Sequence, residues 1–352
     1  MNKEFWQHKK VFITGHTGFK GGWLSMWLQS MGAEVHGYSL SPSTETNFYE
    51  VAKIAKGMAT STIADVRDGT NFSKAMLLVE PEIVFHLAAQ PLVRYSYEQP
   101  LETYMVNVIG TVNMLEAVRL TPSVKAVVNI TTDKCYENRE WLWGYRENEA
   151  MGGHDPYSSS KACSELVTSA YRKSFMESSG ISLASARAGN VIGGGDWSDD
   201  RLVPDILKTI DHSEILNIRY PNATRPWQHV LEPVYGYLLL AEKLFVEGSV
   251  FAEGWNFGPA DDDAKSVKWI VEQIAEMHKN LKWECDDTPQ PHEASYLKLD
   301  SSKAKSELEW EPRWNLKTAL EKTLEWHEAW RNNDDMASVS ISQIEGYQLD
   351  NN

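Results

Sequence analysis

Tyr157 and Lys161 stand four residues apart, and Pro156 just before them is tolerated in a helix first turn, so the two side chains are expected on one face of a helix. A phenol with a reference pKa of about 10 is a poor base at neutral pH, and an adjacent ammonium favours its phenolate. Such a pair can take a proton from a hydroxyl while a hydride leaves the carbon that bears it. Tyr-x-x-x-Lys also arises by chance as a bland surface pair, so the surroundings decide. Thr132 follows the apolar run Ala126-Val-Val-Asn-Ile-Thr131 and can bring a hydroxyl to the tyrosine oxygen. Beside it Asp133 and Lys134 place two titratable groups next to each other, either an ion pair on a loop or an acid and a base with separate tasks.

A second constellation is Gly15-His-Thr-Gly18-Phe-Lys-Gly21, with glycines at i, i+3 and i+6 directly after the apolar run Lys10-Val-Phe-Ile-Thr14. That spacing lets backbone amides and a helix N-terminus approach a pyrophosphate, although without a ligand it is also a tight strand-to-helix turn. The residues expected at a dinucleotide are Gly15, His16, Thr17, Gly18, Phe19, Lys20 and Gly21, joined by Asp65, Val66, Leu87, Ala88, Ala89, Asn107, Tyr157 and Lys161. Asp65 can accept a hydrogen bond from an adenine amino group, or it is part of a solvated turn. The second strand ends His36-Gly-Tyr-Ser39 without the usual ribose-binding acid, and no Arg cluster nearby offers to hold a 2′-phosphate.

Positioning these groups takes strands that alternate with helices. Lys10 to Thr14, Glu34 to Leu40, Ile83 to Leu87, Ala126 to Thr131 and Ser182 to Ala186 read as strands. Between them Trp23 to Met31, Asn71 to Val79, Thr103 to Arg119 and Pro156 to about Ser178 read as helices. This order predicts an α/β fold, a Rossmann-type doubly wound parallel sheet over residues 1–190. Beyond Asn190 the pattern loosens into Gly193-Gly-Gly-Asp196, scattered Pro and Trp, and amphipathic stretches such as Val267 to His278 and Leu316 to Trp330. Residues 191–352 therefore read as a smaller, mainly substrate-binding domain, with some segments returning to the sheet. After Arg331 the chain is rich in Asn, Asp and Ser and is expected to be poorly ordered at its end.

Composition narrows the classes of function. A formal charge of −15 over 352 residues argues against a general nucleic-acid binder, while leaving room for a local basic pocket. The cysteines, Cys135, Cys163 and Cys285, form no CxxC pair, and neither they nor His154 and His292 offer metal-ligand spacing. No apolar run approaches the roughly 18 residues a membrane helix needs, and Met1 to Lys10 lacks the apolar stretch of a signal peptide, so the cytoplasm is the expected location.

Taken together, Gly15-x-x-Gly18-x-x-Gly21, His86-Leu-Ala-Ala-Gln90, Thr132-Asp133 and Tyr157-Ser-Ser-Ser-Lys161 resemble the extended short-chain dehydrogenase/reductases that act on nucleotide sugars. Epimerases of that group usually carry a Ser-rich stretch at the Thr132 position, whereas Thr-Asp-Glu marks the hexose 4,6-dehydratases. Here the third position is Lys134, a departure that resembles the CDP-glucose 4,6-dehydratases. So do Cys135-Tyr136, Trp141-x-Trp143-Gly-Tyr-Arg146, Gly152-Gly-x-Asp155-Pro-Tyr157, Arg187-Ala-Gly-Asn190 and Arg225-Pro-Trp-Gln-His-Val230.

The resemblance implies NAD as cofactor, CDP-D-glucose as substrate, and a homodimer or homotetramer. It implies a lyase in which Tyr157, with Thr132 and Lys161, takes the C4 hydroxyl proton, Lys134 removes the C5 proton and Asp133 protonates the departing C6 hydroxyl. Arg201 and Arg225 are candidates for the pyrophosphate, since guanidinium binds phosphate bidentately, and Asn190, which follows the predicted sixth strand, is a further candidate at the substrate. Gln90 and Ser96 resemble sugar-facing loop positions, or are structural hydrogen bonders. The alternatives are a 4-epimerase, a dehydratase of another nucleotide sugar, or a non-catalytic cofactor sensor, which would typically have lost the Tyr or the Lys.

Overall fold

Strands covered on both faces read as near-continuous apolar runs, and Val11 to Thr14, Ile83 to His86 and Ala126 to Ile130 are buried without a break. In the computed structural model, which describes residues 2–279, 281–286 and 296–350, these runs form the middle of a seven-stranded sheet. His292 lies outside the described residues. In chain order the strands are β1 (Lys10–Thr14), β2 (Glu34–Ser39), β3 (Thr60–Ile63), β4 (Ile83–His86), β5 (Ala126–Ile130) and β6 (Ser182–Ala188). They continue with β7 (Asn190–Ile192), β8 (Ile215–Ile218), β9 (Thr224–His229), β10 (Gly254–Phe257), β11 (Ala264–Ser266) and β12 (Lys282–Cys285).

The large sheet runs β10-β6-β5-β4-β1-β2-β3, and every pairing in it is parallel. The fold is the doubly wound Rossmann type. Chain order proceeds outward in opposite directions from β1 and β4, so a crevice opens beyond their C-terminal ends, the place where such sheets bind ligands. β10, drawn from the second half of the chain, lies against β6. Two smaller sheets, β11-β9-β7 and β12-β8, flank the crevice.

Helices cover both faces. Phe19–Ser30 follows β1 and carries Trp23 and Trp27 fully buried, and Pro156–Tyr171 follows the loop after β5. The stretch expected as one helix from Thr103 is Pro100–Tyr104, a π turn at Met105–Ile109, and Gly110–Arg119. The π turn carries Asn107, whose side chain accepts from Gln90 N (2.9 Å) and donates to Gln90 O (3.1 Å) and Ser160 Oγ (2.9 Å). It thereby ties the loop after β4 to the helix that bears Tyr157. No helix among the described residues is long and apolar enough to cross a membrane.

The segment after Arg331 departs from expectation, because Met336–Leu349 is a helix. Its polar composition hides a buried face of Met336, Ser340, Gln343, Ile344 and Tyr347. The Tyr347 ring meets Trp27 and Trp314 edge-on, with centroids 5.7 and 5.2 Å away. Its hydroxyl donates to Glu232 Oε2 at 2.6 Å, and Trp314 N donates to Glu232 Oε1 at 2.8 Å. Burial pushes the Glu232 carboxyl up to about 7, so its donors matter. Tyr347→Phe keeps the ring and removes one donor from a buried acid, and should lower unfolding stability by about 1–3 kcal/mol in urea titrations. An unchanged midpoint would mean that ring packing alone holds this helix.

Candidate active site

The loop after β1 is shaped by close approach. Gly15 has φ +76, and a Cβ there would stand 2.8 Å from Ala88 N, in the loop after β4. A Cβ on Gly21 would overlap the Gly15 carbonyl. Gly18 is the N-cap of helix Phe19–Ser30 and supplies no side-chain cap, so the first-turn N–H groups are left for a ligand. A cleft of about 320 Å³ lies over this turn, walled by Gly15, Thr17, Gly18, Phe19, Lys20 and Gly21. Asp65, Val66, Leu87, Ala88, Ala89, Tyr157 and Lys161 complete much of the remaining wall.

Two residues expected at this cleft stand behind it. His16 is fully buried, its Nε2 is 2.8 Å from Ser61 Oγ, and burial pushes its imidazole down to about 4, so it is neutral packing under the turn. Asn107 clamps Gln90 and does not reach the wall. Sequence reading missed the segment Ser39 to Thr44, which walls the end beyond β2. There Thr17 Oγ1 lies 2.8 Å from Ser39 Oγ, and no arginine is present in that segment. Asp65 accepts Arg67 Nε at 2.8 Å, which holds its carboxyl below the usual range.

A second cleft, also of about 320 Å³, meets the first where Lys20, Thr131, Tyr157, Asp196 and Arg201 line both. The reactive groups gather at this junction. Thr132 Oγ1 donates to Asp133 Oδ1 at 2.9 Å and is also hydrogen-bonded to the Tyr157 phenol. A hydroxyl has one proton, so Thr132 serves either Asp133 or the Tyr157 oxygen, and a protonated Asp133 leaves it free to donate to the phenolate. Lys134 follows in the short 3-10 turn Asp133–Cys135, lines the second cleft, and donates its N–H to Thr132 Oγ1 at 3.3 Å.

Burial moves these groups toward their neutral forms. It pushes Tyr157 up to about 12, with the Thr132 hydrogen bond and Arg201 acting the other way. It brings Lys161 down to about 8, and nearby Lys20 adds to that. Lys161 Nζ donates to Ile130 O at 3.3 Å and lines the first cleft together with Tyr157. Asp133 is 2 % exposed, its carboxyl is raised by burial, and Oδ2 has no hydrogen-bond partner among the described residues. Gly189 lets the end of β6 come this close, since a Cβ there would be 2.5 Å from Pro226 Cγ and 3.2 Å from that oxygen.

Of the residues expected at a substrate, Asn190, Arg201 and Arg225 line the second cleft. Arg201 Nη1 is fixed by Asp196 Oδ2 at 2.9 Å, and Arg225 is buried on β9. Gln90 and Ser96 are not at its wall. Gln90 Nε2 donates to Thr103 Oγ1 at 2.9 Å, and the fully buried Ser96 donates to Val93 O at 2.6 Å, so both shape the loop from inside.

A support missed in the sequence is Glu165, one turn beyond Lys161 on the same face. Its carboxylate accepts from Thr131 Oγ1, from Ser185 Oγ at 2.6 Å, and from Arg187 Nε and Nη2 at 2.9 and 2.8 Å. The signal was available in the i, i+4, i+8 spacing of Tyr157, Lys161 and Glu165.

Residues 12–323 match the family described as GDP-mannose 4,6 dehydratase. A CDP-glucose 4,6-dehydratase of Salmonella typhimurium is 54% identical over 99% of this chain and 98% of its own. Among solved structures, a dTDP-glucose 4,6-dehydratase of Bacillus anthracis in complex with NAD superposes with a TM-score of 0.76 at 22% identity, covering 92% of this chain and 98% of its own. A UDP-glucose 4-epimerase of Thermotoga maritima with UDP-glucose gives a TM-score of 0.79 at 22% identity, over 92% and 99% of the two chains. At that identity the two structures speak for the fold alone.

Glu165→Gln would leave the buried Arg187 guanidinium without its counter-charge. We expect a loss of about 3–5 kcal/mol in unfolding stability, read by chemical denaturation. A loss below about 1 kcal/mol would show that the pair is not needed to join the helix to the sheet.

Proposed function

The chain belongs to the GDP-mannose 4,6-dehydratase family, and on that premise we propose that it is an NAD-dependent lyase converting CDP-D-glucose to CDP-4-dehydro-6-deoxy-D-glucose and water. The observation that carries this reading is the Tyr157–Thr132–Asp133 hydrogen-bond chain, with Lys134 beside it, where the two clefts meet. An epimerase needs only the oxidising half of that set. The likeness to the Salmonella protein supports CDP-glucose among the nucleotide sugars.

The first cleft suits NAD. Glycine leaves the space a Cβ would fill at residues 15 and 21, the helix turn above is uncapped, and the Ser39 to Thr44 wall offers hydroxyls and no cation for a 2′-phosphate. Gly15, Thr17, Gly18, Phe19, Lys20 and Gly21 would hold the pyrophosphate, Asp65 and Val66 the adenine, and Leu87, Ala88, Ala89, Tyr157 and Lys161 the nicotinamide half, with His16 and Asn107 supporting from behind. When bound, NAD supplies a hydride acceptor for C4, a hydride donor for C6, and a positive charge near the phenol.

Tyr157 as phenolate takes the C4 hydroxyl proton, a form that Arg201 and the Thr132 hydroxyl favour against burial. The resulting ketone acidifies C5, and Lys134 takes the C5 proton. Asp133, whose carboxyl is raised by burial, gives a proton through Oδ2 to the departing C6 hydroxyl, which leaves as water. Lys134 then returns a proton to C5. Arg201 and Arg225 hold the diphosphate, beside Asn190. In this reading residues 1–190 serve mainly the cofactor and residues 191–352 mainly the sugar nucleotide, in a cytoplasmic homodimer or homotetramer. The product, a 4-keto-6-deoxy sugar nucleotide, fits a route to the dideoxyhexoses of O-antigen lipopolysaccharide.

Offering CDP-, dTDP-, GDP- and UDP-hexoses in parallel should give a 4-keto-6-deoxy product most efficiently from CDP-glucose, and a C4-inverted hexose as main product would overturn the reading. Tyr157→Phe should keep cofactor binding and lower turnover by at least about 100-fold, since the ring remains while the proton acceptor is gone. Lys134→Met should still form the 4-keto sugar, while 6-deoxy product falls by about 100-fold or more. Full elimination by this variant would remove Lys134 from the role of C5 base.

A further inference from the structure

We propose that Asp205 accepts a hydrogen bond from the 4-amino group of cytosine and so sets the preference for CDP-sugars over UDP- and dTDP-sugars. This deepens the proposed activity and rests on it.

The second cleft has a polarity. At one end it shares Tyr157 with the cofactor cleft, so the sugar must lie there. Arg201 and Arg225 then offer cations to a diphosphate, which directs the base toward the walls that the cofactor cleft does not share. Those walls are the first turn of helix Leu202–His212, with Leu202, Val203 and Asp205, and β8 with the loop after it, where Asn217, Arg219 and Tyr220 lie.

Four carboxylates line the cleft: Asp133, Asp196, Asp200 and Asp205. Asp133 belongs to the reacting end. Asp196 is bound to Arg201 at 2.9 Å. Asp200 joins Arg94 at 3.2 Å and Arg219 at 3.1 Å across the cleft. The Asp205 carboxylate alone has no side-chain hydrogen bond or ion pair among the described residues, although Arg219 and Lys208 act on it through space. Its backbone is fixed, because Asp205 N donates to Arg201 O at 2.9 Å and the next residues, Ile206 and Leu207, pack in a core with Leu216 and Ile218. A half-buried acceptor on a fixed helix turn, with nothing donating to it, is left for a donor on the ligand.

The bases differ at the position such an acceptor reads. Cytosine carries an amino donor at C4, while uracil and thymine carry a carbonyl oxygen there. An ionised Asp205 therefore attracts the first and repels the others, and it discriminates by penalty as well as by attraction. Burial raises this carboxyl to about 6, below neutrality, with Asp199 and Asp200 raising it and Arg219 and Lys208 opposing them, so the acceptor form prevails at neutral pH. Asn217 on β8 does not discriminate in this way, since an amide offers both a donor and an acceptor.

The test is steady-state kinetics of the wild type, Asp205→Asn and Asp205→Ala with CDP-glucose and UDP-glucose, together with calorimetric titration of CDP and UDP. Asparagine can donate to the uracil carbonyl, so the CDP-to-UDP ratio of kcat/KM should fall by about 10–100-fold in Asp205→Asn through loss on one substrate and gain on the other. Asp205→Ala should weaken CDP about tenfold, mainly in KM, and strengthen UDP binding by about two- to fivefold as the repulsion is removed. A wild type that favours CDP-glucose while both variants keep its ratio overturns the assignment alone. A wild type that uses UDP-glucose as well as CDP-glucose overturns the activity reading, and this assignment with it.

Discussion

The buried ion pair between Glu165 and Arg187 is the constraint on which the site depends. The side chains are only 4 and 5 % exposed, and two charges at that depth are tolerable only when each lone pair and proton has a partner. Glu165 meets this by gripping Thr131 at the end of β5 and Ser185 and Arg187 on β6, while Arg187 reaches on to Tyr136 Oη at 2.7 Å and Glu147 O at 3.1 Å. Tyr136 in turn donates to Asn256 Oδ1 on β10 at 2.7 Å. One network thus fixes three strands, the helix of Tyr157, and the residue that ends the Asp133–Cys135 turn. The distance from the phenol to Thr132 and Asp133 is set by this geometry, since all three ride on elements the ion pair joins.

Around that frame the two clefts share a charged floor in a protein whose net charge is −15. Lys20, Lys161, Arg201 and Arg225 line these clefts together with Asp133 and Asp196. Burial lowers Lys20 and Lys161 to about 8 and raises Tyr157 and Asp133, so desolvation presses every one of these groups toward neutrality. An anion entering either cleft would favour the charged lysines, so under the proposed function the site becomes polarised by what it binds.

The candidate site residues were legible because the chemistry they would serve demands particular types at particular spacings. Gly15, Gly18 and Gly21 mark a backbone approach that no side chain permits, and Tyr157 and Lys161 mark one helix face. Other features are set by tertiary contact and leave little local trace. Gln90 lies in the loop after β4 and Ser96 in the short helix Val93–Glu98 that follows, and whether they face a ligand or Thr103 and Val93 depends on how that segment packs. The Ser39 to Thr44 wall has no periodicity to read. The helix at Met336–Leu349 was hidden by polar composition, and its stability comes from the aromatic pocket that receives Tyr347.

That aromatic pocket also joins distant parts of the chain. Trp27 sits on the helix that begins at the glycine turn, and one of its ring partners, Tyr347, is separated from it by most of the sequence. A ribosome delivers the two far apart in time. The outer face of the nucleotide-cradling helix is therefore left open while the rest of the chain is made, and the first Rossmann units must wait, with a tryptophan uncovered, for their covering helix.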